Sequence, residues 1–142
     1  MSLASAAVRT SNVTISNANV ELRTTAGVVA RVLEHSVIQL TGTASTYGLG
    51  RPAAQGITPG TITTFVRDNS NDPACVTTLN LTWGTSPTAP TTFHRRTNTA
   101  ATIGVGIVWT FPAGLAVPVS ASLVNFNVTA SVATDSNWAI DE

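Results

Sequence analysis

The side chains here that could do chemistry are few, and their spacing limits what they can do. The densest set of oxygen ligands is Asp68-Asn69-Ser70-Asn71-Asp72, with side-chain oxygens at alternate positions as in calcium loops. An EF-hand loop also needs a glycine at its sixth position and a distal glutamate. The sixth residue here is Pro73. The stretch reads instead as an Asx-rich turn, whose side chains cap their own backbone. His94-Arg95-Arg96 is the one basic cluster. On a strand, Arg95 points away from its two neighbours. Such a guanidinium pairs with a carboxylate (Asp68 or Glu142) or a neighbouring subunit; an anionic sugar or phosphate is the other occupant. His35 stands beside Glu34, far from His94, and no His/Cys spacing suggests a metal. No G-x-S-x-G elbow, glycine-rich phosphate loop or paired acidic motif is present. The expectation is a protein that is not an enzyme and carries no cofactor.

Aromatic rings are the remaining candidates. Trp83, Trp109 and Trp138 offer flat apolar platforms with a polar edge, suited to a sugar. Trp83 and Trp109 lie in strongly apolar strands and read as core. Trp138 lies between polar residues and reads as exposed. With Tyr47 and Arg95 or Arg96 near one loop end, it would make a receptor- or glycan-binding patch. Cys75 has no partner cysteine, so it reads as a small buried apolar side chain.

The elements that must position these residues read as β. Residues 1–11 are small and polar without a clear period, and are expected to form an N-terminal arm. Residues 12–142 are expected to form one antiparallel β-sandwich, jelly-roll-like, of eight to ten short strands. Val13, Ile15, Val20 and Leu22 begin the alternation. Thr24 to Gly27 can turn, and residues 28–40 return as strands. A helix fits the apolar spacing there too, but the β-branched density favours strands. Residues 45–60, with four glycines and two prolines, read as a long edge loop. Strands follow at 61–68 and 76–83, the second placing Leu79, Leu81 and Trp83 on one face. A Pro-rich loop at 86–90, a short strand at 91–97 and a last short strand at 137–141 complete the outline. The most apolar stretch, Ala101–Thr129, reads as two or three buried strands. Turns are expected at Pro112-Ala113-Gly114 and Pro118, and a bulge at Gly104 and Gly106.

Composition bounds the partners. Charged residues are 10% of the 142, where about 25% is usual. All seven cations are arginine, balanced by seven acids. A neutral chain has no electrostatic footprint for nucleic acid. Interfaces retain arginine and shed lysine, so the chain is expected to pack against copies of itself or a larger assembly. The first ten residues lack the basic and apolar regions of a secretory signal. No apolar run approaches the roughly 20 residues of a membrane span, so no membrane partner is expected.

The segments STYGLGRPAA (45–54), FHRR (93–96), GVGIVWTFPAGLAVP (104–118) and SLVNFNV (122–128), with Asp141-Glu142, carry a resemblance. Over about residues 40–142 the chain resembles small all-β virion proteins of tailed bacteriophages and prophages. The resemblance implies a capsid decoration protein or a tail- or head-fibre component, often a symmetric trimer. Its partners would be itself and the major capsid or another virion protein. It would reside in the virion, assembled in the bacterial host cytoplasm. Residues 1–11 lie outside the resemblance and are expected to order on a partner, having little to fold against alone. No functional residues carry over.

Overall fold

The structure, a computed structural model, describes residues 2–142. Its last strand shows how the sequence sets the layers. From Val132 to Asp141 every second residue, Val132, Thr134, Ser136, Trp138 and Ile140, is buried, and those between are partly exposed. That is a strand with one face on a core and one in water. Eleven strands form: β1 (Leu3–Val13), β2 (Ala18–Arg23), β3 (Ala30–Gln39), β4 (Ser45–Gly50), β5 (Ile57–Thr64), β6 (Val66–Arg67), β7 (Thr78–Thr85), β8 (Arg95–Thr99), β9 (Gly106–Val117), β10 (Ser122–Asn127) and β11 (Val132–Asp141). They make two sheets of order β6-β1-β11-β3-β9 and β5-β7-β2-β10-β4-β8, with every pairing antiparallel.

Eight of these strands are one long ribbon folded on itself. β1 pairs β11, β2 pairs β10, β3 pairs β9 and β4 pairs β8. That nesting is the path of a jelly roll. β5, β6 and β7 are an insertion between β4 and β8. They extend one sheet beyond β2 and the other beyond β1. The main core lies between the sheets, with Val20, Leu22, Val32, Tyr47, Leu49, Leu79, Leu123, Trp138 and Ile140 at its centre.

Five readings of the sequence need correction. Residues 3–11 are not an arm: β1 pairs with β11 from Leu3 to Val13 and with β6 on its other side. Its inward residues, Ala4, Ala6, Val8 and Thr10, are small or polar, so the alternation has little hydrophobic contrast. The glycine-rich stretch 45–60 is not a loop but holds β4 and the start of β5. A Cβ on Gly48 would lie 2.7 Å from the Phe93 ring, and one on Gly50 would lie 2.9 Å from Pro90. These glycines permit close approach rather than mark a turn. Pro112-Ala113-Gly114 does not turn the chain. It belongs to a wide bulge in β9: Thr110 pairs Glu34 and Leu115 pairs Val32, so four residues face Leu33 alone. Gly114 takes a left-handed φ of 72° within it. Finally, Thr82 adopts φ 49°, which turns Trp83 from the side of Leu79 and Leu81 to the opposite face of β7, where it packs with Ala18, Val124 and Phe126. Gly104 sits in a turn before β9 with φ 85° rather than within a strand.

The two outer faces of the sandwich differ. Phe93, Ala89 and Trp83 lie over Val124 and Phe126, so every residue of β4 and β10 is buried. The outer face of the other sheet has no such cover. It presents Leu3, Ser5 and Ala7 of β1, Asn137 and Ala139 of β11, Glu34 and Ile38 of β3, Val66 of β6, and Val108 of β9. Val66 and Val108 are 71% and 60% exposed.

Candidate functional site

The residues expected to form a binding patch do not converge. Trp138, read as exposed, is 2% exposed and stands in the core. Its Nε1 donates to Ser136 Oγ at 3.0 Å, and its ring stacks on His35 at 3.8 Å between centroids. The polar neighbours that suggested exposure belong to the alternation of β11, whose inward set is itself partly polar. Tyr47 is fully buried in β4 and donates to Gln39 Oε1 at 3.1 Å; burial pushes its pKa to about 12. Arg95 and Arg96 are exposed on β8, an edge strand. Arg95 lies over the Phe111 ring at 5.0 Å and donates to the His94 carbonyl. It meets neither Asp68 nor Glu142: among the described residues the ion pairs are Arg9–Asp135 and Arg23–Glu21. His94 is held below its ordinary pKa by partial burial first, then by Arg51 and Arg95.

The Asx-rich turn satisfies itself. Asn71 N–H donates to Asn69 Oδ1, Asn69 Nδ2 donates to Asp72 Oδ1, and Arg67 donates to the Asp72 carbonyl. No group of three His, Cys, Asp or Glu side chains gathers for a metal among the described residues.

Glu142 closes another corner. Its carboxylate accepts from Val76 N–H and Thr77 N–H at 2.9 Å each and from the Cys75 thiol at 3.1 Å. Burial alone would raise its pKa, but these hydrogen bonds outweigh it and hold the group below the usual range. The Cys75 thiol is pushed up to about 12, by burial first and then by Glu142. A thiol so held is no nucleophile.

A further cleft carries no distinctive signal in the sequence. It is the gap where the two sheets part between β1 and β7, about 680 Å³ in volume. One wall is Arg9 to Val13 of β1. The other is Asn19 of β2 with Leu81, Thr82 and Trp83 of β7, and the Thr14–Asn17 connection closes one end. Trp83 reaches this wall because Thr82 turns β7. Its Nε1 donates to Glu21 Oε2 at 3.0 Å. Glu21, fully buried, also accepts two 2.9 Å bonds from Arg23, so the ring is held in place. The sequence hint was Asn12, Asn17 and Asn19 crowding the connection from β1 to β2, which is an ordinary turn composition without the fold.

Comparison of the chain with protein-family models, with curated proteins and with solved structures finds no match.

Proposed function

We propose that this chain is a non-enzymatic structural protein of a tailed-phage particle, a capsid decoration or stabilising protein acting as a symmetric homo-oligomer, a trimer. One observation carries the reading: the chain covers the β10–β4 centre of one outer face and leaves the centre of the other bare. That bare face joins small residues to exposed Leu3, Ile38, Val66 and Val108, with Glu34 at its middle and the Arg9–Asp135 pair and Asp141 toward its ends. A surface of this kind, on a lysine-free chain with 10% charge, suits burial against a subunit. The chemistry agrees. His35 bonds the Asn137 carbonyl rather than a hydroxyl or thiol, and Cys75 faces Glu142. The resemblance of residues 40–142 to tailed-phage virion proteins supplies the particle.

The mechanism is mass action. A protein that binds only the assembled shell stabilises it by RT ln(1 + [L]/Kd), about 2.7 kcal/mol at a hundredfold excess over Kd. The test is to add purified chain to shells that lack it, then measure co-sedimentation and the temperature at which the shells open. Saturable binding with a raised opening temperature is expected. Full separation from shells at all concentrations would remove the assignment. The second reading, a receptor- or glycan-binding module of a tail or head fibre, is favoured by the inter-sheet cleft.

A further inference from the structure

The cleft between β1 and β7 has the size and lining of a ligand site. Its 680 Å³ falls within the roughly 300–1,000 Å³ of small-molecule pockets. The lining is mixed in a particular way. Leu81, Trp83 and Val13 give an apolar strip, and Trp83 presents a ring whose only polar atom is already bonded to Glu21. Around the strip stand hydroxyls and carboxamides, Ser11, Asn12, Asn17 and Thr82 among them. Several retain unused capacity. Asn12 accepts from Thr41 through Oδ1 and keeps its amide donors; Asn17 donates to Thr14 through Nδ2 and keeps its oxygen.

Two residues of the lining hold an atom short of a partner. Asn19, 2% exposed, donates its Nδ2 to Asn125 Oδ1 at 2.9 Å, leaving its own Oδ1 unpaired; Ser86 Oγ is also unpaired. A buried polar atom without a partner is costly to the fold, and such exceptions ask for an explanation. Both atoms are shut off from solvent, so a hydroxyl-bearing ligand reaches them only by shifting the side chains that cover them.

Charge narrows the ligand. The one ionisable side chain of the lining is Arg9, and its Nε and Nη2 are spent on the two oxygens of Asp135 at 2.7 and 2.8 Å. A phosphate or carboxylated sugar would find no free cation held in position. A neutral pyranose has what fits: an apolar C–H face for Trp83 and Leu81, and equatorial hydroxyls for the amides around them.

We propose that this cleft is a binding site for a neutral saccharide, with Trp83 as the platform and Asn12 and Asn17 as the hydrogen-bonding rim. The site belongs to the isolated chain, so it stands or falls separately from assembly on a particle.

The test is a titration of the full chain, by calorimetry and tryptophan fluorescence, with neutral oligosaccharides of glucose, galactose, mannose and N-acetylglucosamine. A sialylated oligosaccharide and inorganic phosphate serve as charged comparisons. Saturable binding of at least one neutral sugar is expected. Asn12→Ala and Asn17→Ala, both at exposed positions, should each weaken it about tenfold, the loss of one good hydrogen bond. Trp83→Leu should abolish it; circular dichroism decides whether that variant is folded, and the two asparagine variants keep the test valid if it is not. Arg95→Gln, on the far edge of the same sheet, should change nothing. Absence of binding by every neutral sugar, binding of the charged probes alone, or binding indifferent to Asn12 and Asn17 would each overturn the proposal.

Discussion

His35 is the buried side chain on which acid acts first. Its Nδ1–H donates to the Asn137 carbonyl at 3.2 Å, while its ring stacks on Trp138 and tilts against Trp109 at 5.7 Å between centroids. Full burial lowers its pKa from 6.5 to about 3. The folded value lies below the unfolded one, so His35 contributes its stability fully above the unfolded value and loses it as pH falls toward the folded one. The loss approaches about 1.4 kcal/mol per pH unit within that window. Asp135 and Glu142, with ordinary values of 3.8 and 4.5 and both lowered in the fold, act only further down. Urea midpoints measured from pH 7 to pH 5 should therefore fall steadily, and in His35→Gln that slope should shrink to the smaller part left by His94, whose pKa is also lowered. Cys75 offers a second reading of the same core. With its thiol at about 12, native protein should resist a thiol reagent at neutral pH and react once unfolded. Single residues were the least legible in the sequence. Trp138 and Tyr47 sit among polar neighbours because the inward faces of β11 and β4 include Thr134, Ser136 and Ser45, and no local pattern separates such a face from a wet one.

Among the elements, the strands with strong contrast were legible and the weak ones were not. Leu79 and Leu81, or the β-branched run in β3, show a sheet directly; β1 hides behind alanine and serine, and β4 behind its glycines. The reason in each case is tertiary. Ala4 and Ala6 are small where β1 meets the core, and Gly48 is bare because Phe93 lies on it. Two outcomes follow. Deleting residues 1–11 removes most of a strand that pairs on both sides, so the truncated chain should lose cooperative unfolding and its near-ultraviolet circular dichroism, not merely an affinity. Gly48→Ala should displace Phe93 and lower stability by about 1–3 kcal/mol, as overpacking does. Gly27→Ala meets nothing within 4 Å but sits at φ 82°, so it should cost only the strain of a left-handed alanine, about 1–2 kcal/mol. Chemical denaturation of the two variants measures both.

For the whole molecule, the jelly roll gives two unequal surfaces. One is covered at its centre by Phe93, Ala89 and Trp83, with Ile62 left exposed toward its edge; the other has no such cover. Sandwich architecture was readable from the recurring strands and turns. The inequality of the faces was not, since it depends on which loop folds over which sheet. If subunits meet through the bare face, Val108→Glu and Ala7→Arg should weaken association at least tenfold while leaving the fold intact, because each places an unpaired charge in the contact. The most direct test is the mass of the purified chain in solution by sedimentation equilibrium across the micromolar range. Assembly through the bare face requires a species of three chains of 14.6 kDa each, broken down by Val108→Glu. A single 14.6 kDa species at every concentration, unchanged by that substitution, would contradict it.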